Sequence, residues 1–202
     1  MCKVHLSWFA SAVALALAAG AGCSDGAPAN PDALSCTPVA AGQSRMLVDH
    51  DLWRLATPEE DPWAEFRPAD ITCPDRSRQP EDFAGVYAYG VLTDGCQYTT
   101  VVQETTADAC AGETFYVWIW NFALTGPEGA SAHLGVKVGD VLWQAERAIP
   151  STAALATDRI VLAHDIPKGT PIYYHVRNHG SNSYELIELS IVNPDPDGAP
   201  AQ

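Results

Sequence analysis

Basic residues are scarce in this 202-residue chain: 11 Lys and Arg stand against 25 Asp and Glu, for a formal net charge of −14. Lys3 is the one basic residue in the first two dozen positions, which leaves 10 basic against 25 acidic residues in the rest. Such a balance repels phosphate backbones and anionic headgroups, and no basic cluster offsets it, so nucleic acid is not an expected partner. Motifs of catalysis are missing as well: there is no G-x-S-x-G, no H-E-x-x-H and no phosphate loop. No C-x-x-C pair exists, so the cysteine spacings do not match a zinc site and no metal ligands are assigned. No amphipathic helix of useful length is present, and no segment after the first two dozen residues is apolar and long enough to span a bilayer. What remains is a chain with an ordinary hydrophobic fraction of 47%, long enough for one domain with a full core.

The first residues read as an export signal. Lys3 supplies a basic start, Leu6 to Ala19 is apolar and uncharged, and small residues follow. The signal is placed at 1–22. Gly20-Ala21-Gly22-Cys23 resembles the lipobox of bacterial lipoproteins, with Gly20 where that family usually has Leu or another aliphatic residue. The resemblance implies that Cys23 is lipidated and that the chain is held at the cell envelope, on the outer membrane or cell surface. A lipid would be its sole membrane attachment. The rival reading is cleavage after Ala19-Gly20-Ala21, which would release a periplasmic or secreted protein. Cysteine arithmetic bears on the choice. Cys2 leaves with the signal, and lipidation of Cys23 would leave Cys36, Cys73, Cys96 and Cys110, an even set able to form two disulfides in an oxidising compartment. Of three connectivities, Cys36–Cys73 with Cys96–Cys110 is expected, because each pair stays within one segment. Residues 23–35 are small, polar and Pro-rich, the composition of a flexible tether, and 194–202 form a similar tail.

Residues 36–82 are poorly periodic. They carry Trp53, Trp63 and Phe66 among many Pro and acidic residues. Thr57-Pro58-Glu59-Glu60 has the form of a helix N-terminus, but Pro62 stops a long helix from following. The segment is expected to be a loop-rich cover with a short helical turn, part of one domain with a β-sandwich core at 83–193. In that core, segments rich in β-branched and aromatic residues fall at about 85–92, 96–104, 113–123, 131–145, 158–164, 170–178 and 184–192. Gly139-Asp140 predicts a hairpin within 131–145. The fold class is therefore all-β, a two-sheet sandwich. Alternation sorts the faces. Leu134 and Val136, Ile172 and Tyr174, and Ile187, Leu189 and Ile191 are assigned to the core; Tyr184, Leu186 and Glu188 to the opposite face. Phe115, Val117 and Ile119 also face inward, which turns Tyr116, Trp118 and Trp120 outward as an aromatic stripe.

The stretch from about 85 to 192 resembles the jelly-roll, galactose-binding-like domains found among carbohydrate-binding modules. The likeness rests on Ala111-Gly-Glu-Thr leading into Phe115-Tyr-Val-Trp-Ile-Trp120, then the strand Ala132–Val138, then Lys168-Gly-Thr-Pro-Ile172 before a penultimate strand, and a closing strand at 184–192. It implies a jelly-roll sandwich and does not name a ligand.

Several side-chain groups are candidate sites. Tyr116, Trp118 and Trp120 could stack sugar rings; alternatively, residues 36–82 cover and bury the stripe. His133, Lys137, Tyr173, His175, Arg177, Tyr184 and Glu188 lie on non-core faces and would surround the platform if their strands neighbour it. Asn178, His179 and Asn182 could form a loop site, or simply satisfy a hairpin. Asp49-His50-Asp51 offers hard oxygen ligands for a structural calcium, against the alternative of a solvated loop; no other cofactor is expected. Glu104, Glu113, Glu185 and Glu188 are plentiful carboxylates that nothing in the sequence pairs for glycoside hydrolysis. The expected function is a non-catalytic, envelope-displayed binding module with a polysaccharide partner. The alternatives are a structural lipoprotein with an envelope-protein partner, and a small metal-dependent or glycoside-active enzyme.

Overall fold

The computed structural model describes residues 36–193. The signal expected at 1–22, the lipidation expected at Cys23, and the tether and tail expected at 23–35 and 194–202 lie outside the described residues. Eleven strands are present among the described residues: β1 (Ser44–Met46), β2 (Arg54–Leu55), β3 (Arg78–Phe83), β4 (Val86–Leu92), β5 (Tyr98–Glu104), β6 (Thr114–Asn121), β7 (Ala130–Val138), β8 (Val141–Ile149), β9 (Ala154–Val161), β10 (Pro171–Asn178) and β11 (Ser183–Val192). They form two antiparallel sheets. One has the order β3-β4-β11-β6-β9, with β1 paired to β11; the other has the order β2-β5-β10-β7-β8. The eight strands β4 to β11 thus divide as β4-β11-β6-β9 and β5-β10-β7-β8. First and last strands are neighbours, as are second and penultimate. This is the jelly-roll arrangement the sequence led us to expect.

Alternation produces the core. In β6 the odd residues Phe115, Val117 and Ile119 are fully buried while Thr114, Tyr116, Trp118 and Trp120 are half-buried. Leu134, Val136, Ile172, Tyr174 and Val176 meet them from the other sheet. In β11 the expected alternation breaks. A β-bulge lies between Leu186 and Glu188, so Leu186 pairs with Ile119 while Leu189 pairs with Val117. The extra residue, Ile187, shifts the phase. Tyr184 and Leu186, assigned from sequence to the outer face, are instead fully buried and belong to the core cluster.

The segment 36–82 contributes more than loops. β1 adds to one sheet, β2 to the other, and β3 pairs along β4. β3 escapes pattern reading because Arg-Gln-Pro-Glu-Asp-Phe is polar and contains Pro80, which is tolerated on an edge strand. The expected helical turn at Thr57 forms one turn only. The Glu60 carboxylate accepts the Thr57 N–H at 2.7 Å, and Asp61 N–H donates to Thr57 O.

The disulfides are Cys36–Cys110 and Cys73–Cys96. This corrects the pairing expected from segment proximity. Cys36 comes beside Cys110 because Glu113 holds both neighbourhoods: its carboxylate accepts the N–H of Val39 and the N–H of Cys110, each at 2.6 Å. Among the described residues no helix is long and apolar enough to cross a membrane.

Candidate functional site

The aromatic stripe and the histidine-rich strand faces lie on different sheets. β6 carries Tyr116, Trp118 and Trp120 on the outer face of the six-stranded sheet; β7 and β10 carry His133, Lys137, Tyr173, His175 and Arg177 on the outer face of the five-stranded one. The two sets cannot form one site, because the core separates them.

The five-stranded face is where the cover segment sits. Trp63, 3% exposed, stacks on His175 with ring centroids 4.7 Å apart and an interplanar angle of 17°. Gly135 makes this possible, since a Cβ there would overlap Trp63 Cζ2. The Tyr98 hydroxyl, 2.7 Å from both Asp61 Oδ2 and Trp63 O, ties the segment down, and Arg67 pairs with Asp61 at 3.3 Å. Arg177 lies over the Phe66 ring at 4.7 Å. His133 Nε2 is 2.8 Å from Gln144 Oε1. His175 is fully buried and its Nδ1 meets the Thr100 hydroxyl at 2.8 Å. Burial, with His133 and Arg177 nearby, holds its pKa well below the ordinary imidazole value.

The remaining sequence candidates are engaged structurally. Asn178 and Asn182 are buried and bonded to one another, to Thr93, to Thr125 and to the Tyr184 hydroxyl; His179 alone of that group is exposed. Asp49 caps a 3-10 turn at His50–Leu52. His50 is buried rather than solvated. Its Nε2 is 3.2 Å from Ile187 O at the bulge, and its Nδ1 receives the Trp53 indole N–H. Among the described residues the one grouping of three metal-type ligand atoms is Cys36, Cys110 and Glu113, two of which form a disulfide. Glu104 lies on the five-stranded sheet and Glu113 beside that disulfide, whereas Glu185 and Glu188 share the aromatic face.

That face is therefore the candidate site. In register, Trp118 stands between Glu188 and Thr157, Trp120 between Glu185 and Leu155, and Tyr116 between Ser190 and Arg159. Tyr116 and Trp118 have ring centroids 6.4 Å apart, about the two-residue repeat of a strand. The Arg159 guanidinium lies 5.3 Å from the Tyr116 ring centre. The indole N–H groups of Trp118 and Trp120 are shielded and have no partner among the described residues. At one end, Phe83 packs against Trp120 (6.2 Å) and edge-on against Phe122 (5.6 Å), so the β3–β4 hairpin reaches the stripe and half-covers it. Trp63 and Phe66 of the cover segment lie instead against the five-stranded sheet.

One further carboxylate, Glu81, joins Glu185 on this face. A Cβ on Gly90 would overlap Glu81 Oε1 and lie 2.9 Å from Glu185 Oε2, so the two carboxyl groups converge over a glycine. Glu185 is 1% exposed; its Oε1 accepts the Ser183 hydroxyl at 2.5 Å and its Oε2 has no partner among the described residues. Burial first, and Glu81 second, push its pKa up to about 7. Glu81 is absent from the sequence candidates because β3 is not legible as a strand. Beside Ser183 opens a shallow depression of about 420 Å³, lined by Leu92, Asp94, Phe122, Ala123, Ser181, Asn182 and Ser183.

No protein-family model matches the chain, and no curated protein matches it. Solved structures similar to it include a family 61 carbohydrate-binding module in complex with β-1,4-galactotriose (14% identity, TM-score 0.41), covering 73% of this chain and 97% of that one. Another is a family 16 carbohydrate-binding module (8% identity, TM-score 0.39), covering 57% and 85%. A third is a family 51 module from Clostridium perfringens in complex with methyl-galactose (8% identity, TM-score 0.32), covering 76% and 95%. Likeness at this level transfers no ligand, and the functional reading rests on the side chains of the face itself.

Proposed function

We propose that the protein is a non-catalytic carbohydrate-binding module, displayed at the cell envelope, whose site is the outer face of the six-stranded sheet. The observation that carries the reading is the row Tyr116, Trp118 and Trp120, half-buried on the outer face of one strand and flanked across the sheet by Ser190, Glu188 and Glu185. Aromatic faces present large apolar area to the C–H face of a pyranose, while neighbouring carboxylates and hydroxyls meet its hydroxyls. Three aromatics at alternate positions span about 13 Å of strand, room for more than one sugar ring. The test is binding of purified protein to a panel of soluble polysaccharides by affinity electrophoresis, with Trp118→Ala and Trp120→Ala as controls. Retardation lost in both variants supports the reading; no retardation on any polysaccharide removes it.

Display at the envelope would come from lipid on Cys23. Detergent phase partitioning checks this: the wild-type chain should enter the detergent phase and Cys23→Ser should not.

A second reading, docking of an envelope protein, draws on the apolar rim of the same face: Phe122 is 46%, Leu155 45% and Val161 68% exposed. Under that reading Leu155→Asp and Val161→Asp abolish capture of a cross-linked partner, and polysaccharides do not compete.

A further inference from the structure

We infer that the free edge of β8 is an interface between two copies of this chain, which pair β8 to β8, antiparallel, about a two-fold axis at Ala145.

An unpaired edge is a row of open N–H and C=O groups, and folded chains blunt such edges with short strands, proline, inward-facing charge or covering loops. The two sheets end in β3, β9, β2 and β8. The first three are blunted. β2 is two residues long, and the chain beyond it stays on β5, where Ala56 N–H donates to Thr100 O at 2.9 Å. β3 contains Pro80. β9 places Asp158, which is exposed, in its inward row, opposite Val117. β8 is different. It runs nine residues without proline or lysine and pairs with β7 at every one of them, with no bulge. Its one inward charge, Arg147, is half-buried and donates to Leu155 O at 3.2 Å.

The order of residues selects the occupant. An antiparallel pair related by a two-fold axis sets each residue against one of the same face. With Ala145 on the axis, Val141 meets Ile149 of the other copy, Leu142 meets Ala148, Trp143 meets Arg147 and Gln144 meets Glu146. No like charges stand opposite, and apolar residues meet at both ends. Leu142, 51% exposed in the single chain, gains cover. Gln144 and Glu146 supply a donor and an acceptor. The Gln144 Oε1 is taken by His133 Nε2 at 2.8 Å and the Trp63 indole N–H at 3.5 Å, so its amide N–H groups are free for the facing carboxylate. Among the described residues Glu146 has no cation of its own. A recess of about 230 Å³ lined by His133, Gln144, Ala145 and Glu146 gives these side chains room. A foreign strand could add to the same edge, but β8 is complementary to itself at every position.

The pairing joins the two five-stranded sheets into one. The axis crosses that sheet at right angles, so both six-stranded sheets lie on one side of it and both rows of Tyr116, Trp118 and Trp120 face the same way. On the carbohydrate reading, one polysaccharide can then engage two sites and gain avidity without a new contact.

The test is sedimentation equilibrium of the purified protein, in density-matched detergent where a lipid is attached. The wild-type chain should sediment as a dimer. Leu142→Lys/Ala148→Lys sets lysine against lysine twice, and Leu142→Glu/Ala148→Glu does the same with glutamate. Both positions are exposed, so thermal melts should match wild type while association weakens at least tenfold. An equal mixture of the two double variants should recover the dimer, because residue 142 of one then faces residue 148 of opposite charge in the other. Ala145→Cys should form an interchain disulfide and Leu142→Cys should not. A wild-type chain that stays monomeric up to about 100 µM, where even a weak specific pair forms, overturns the interface. A dimer that persists in both double variants, or a mixture that fails to recover it, overturns the β8 pairing in favour of another surface or a foreign strand. None of these readouts involves saccharide, so failure here leaves the binding function standing.

Discussion

The indole of Trp63 lies nearly parallel to the buried imidazole of His175, 4.7 Å between centroids. This contact covers part of the five-stranded face of the sandwich, while the six-stranded face carries the half-buried aromatic row. Trp63 sits on the floor provided by Gly135, so Trp63→Ala should destabilise the protein by about 3–5 kcal/mol, the usual range for a buried tryptophan. Gly135→Ala should act in the same direction by displacing the ring. Urea denaturation measures both.

His175 should remain neutral across the range where an exposed histidine titrates. Its folded-state pKa is depressed by burial, so its contribution to stability is present above the unfolded value of about 6.5 and is lost as pH falls toward the folded value. A carbon-detected titration of the imidazole Cε1 signals should show that of His175 unmoved between pH 8 and 5.

Glu185 has the opposite sign. Its pKa is raised from 4.5 to about 7, so the stability it confers is complete below pH 4.5 and is lost as pH rises through 7. Glu185→Gln removes that loss. Its melting temperature should match wild type at pH 4.5 and exceed it by about 3–6 °C at pH 8. An identical pH profile in the two proteins would show that Glu185 does not share a proton with Glu81.

Trp118→Ala and Trp120→Ala remove half-buried rings from the outer face rather than the core, so each should cost only about 1–3 kcal/mol. Saccharide binding, by contrast, should fall at least tenfold. Acrylamide should quench Trp118 and Trp120 more than Trp63, which is visible when each is replaced by Phe in turn.

Non-reducing peptide mapping should recover Cys36 joined to Cys110 and Cys73 joined to Cys96. The first closes a loop with a sequence separation of 74 and the second one of 23. On the loop-entropy model these are worth about 4 and about 3 kcal/mol, so Cys36→Ser/Cys110→Ser should unfold at lower urea than Cys73→Ser/Cys96→Ser.

Much of the sandwich was legible because a half-buried strand alternates. Phe115, Val117 and Ile119 declared one face of β6 and Tyr116, Trp118 and Trp120 the other, and the structure keeps that division. Alternation fails wherever a residue is inserted. Ile187 is such a residue, and carrying one phase across it put Tyr184 and Leu186, on its N-terminal side, on the wrong face. It also fails for β3, whose charged residues and proline lack the strand signature. Glu81 was therefore invisible as a partner of Glu185, although its strand brings it directly over Gly90.

Local chemistry alone determined the class of this protein: period-2 patterning over short, turn-bounded segments admits little besides an antiparallel sandwich. Which strands share a sheet is a different kind of fact. It depends on long-range pairing, so only the tertiary structure could separate Trp118 from His175, join Cys36 to Cys110, and set Glu81 against Glu185. Neighbouring residues constrain one another through backbone geometry, whereas residues a hundred positions apart meet only where burial of the whole core drives them together.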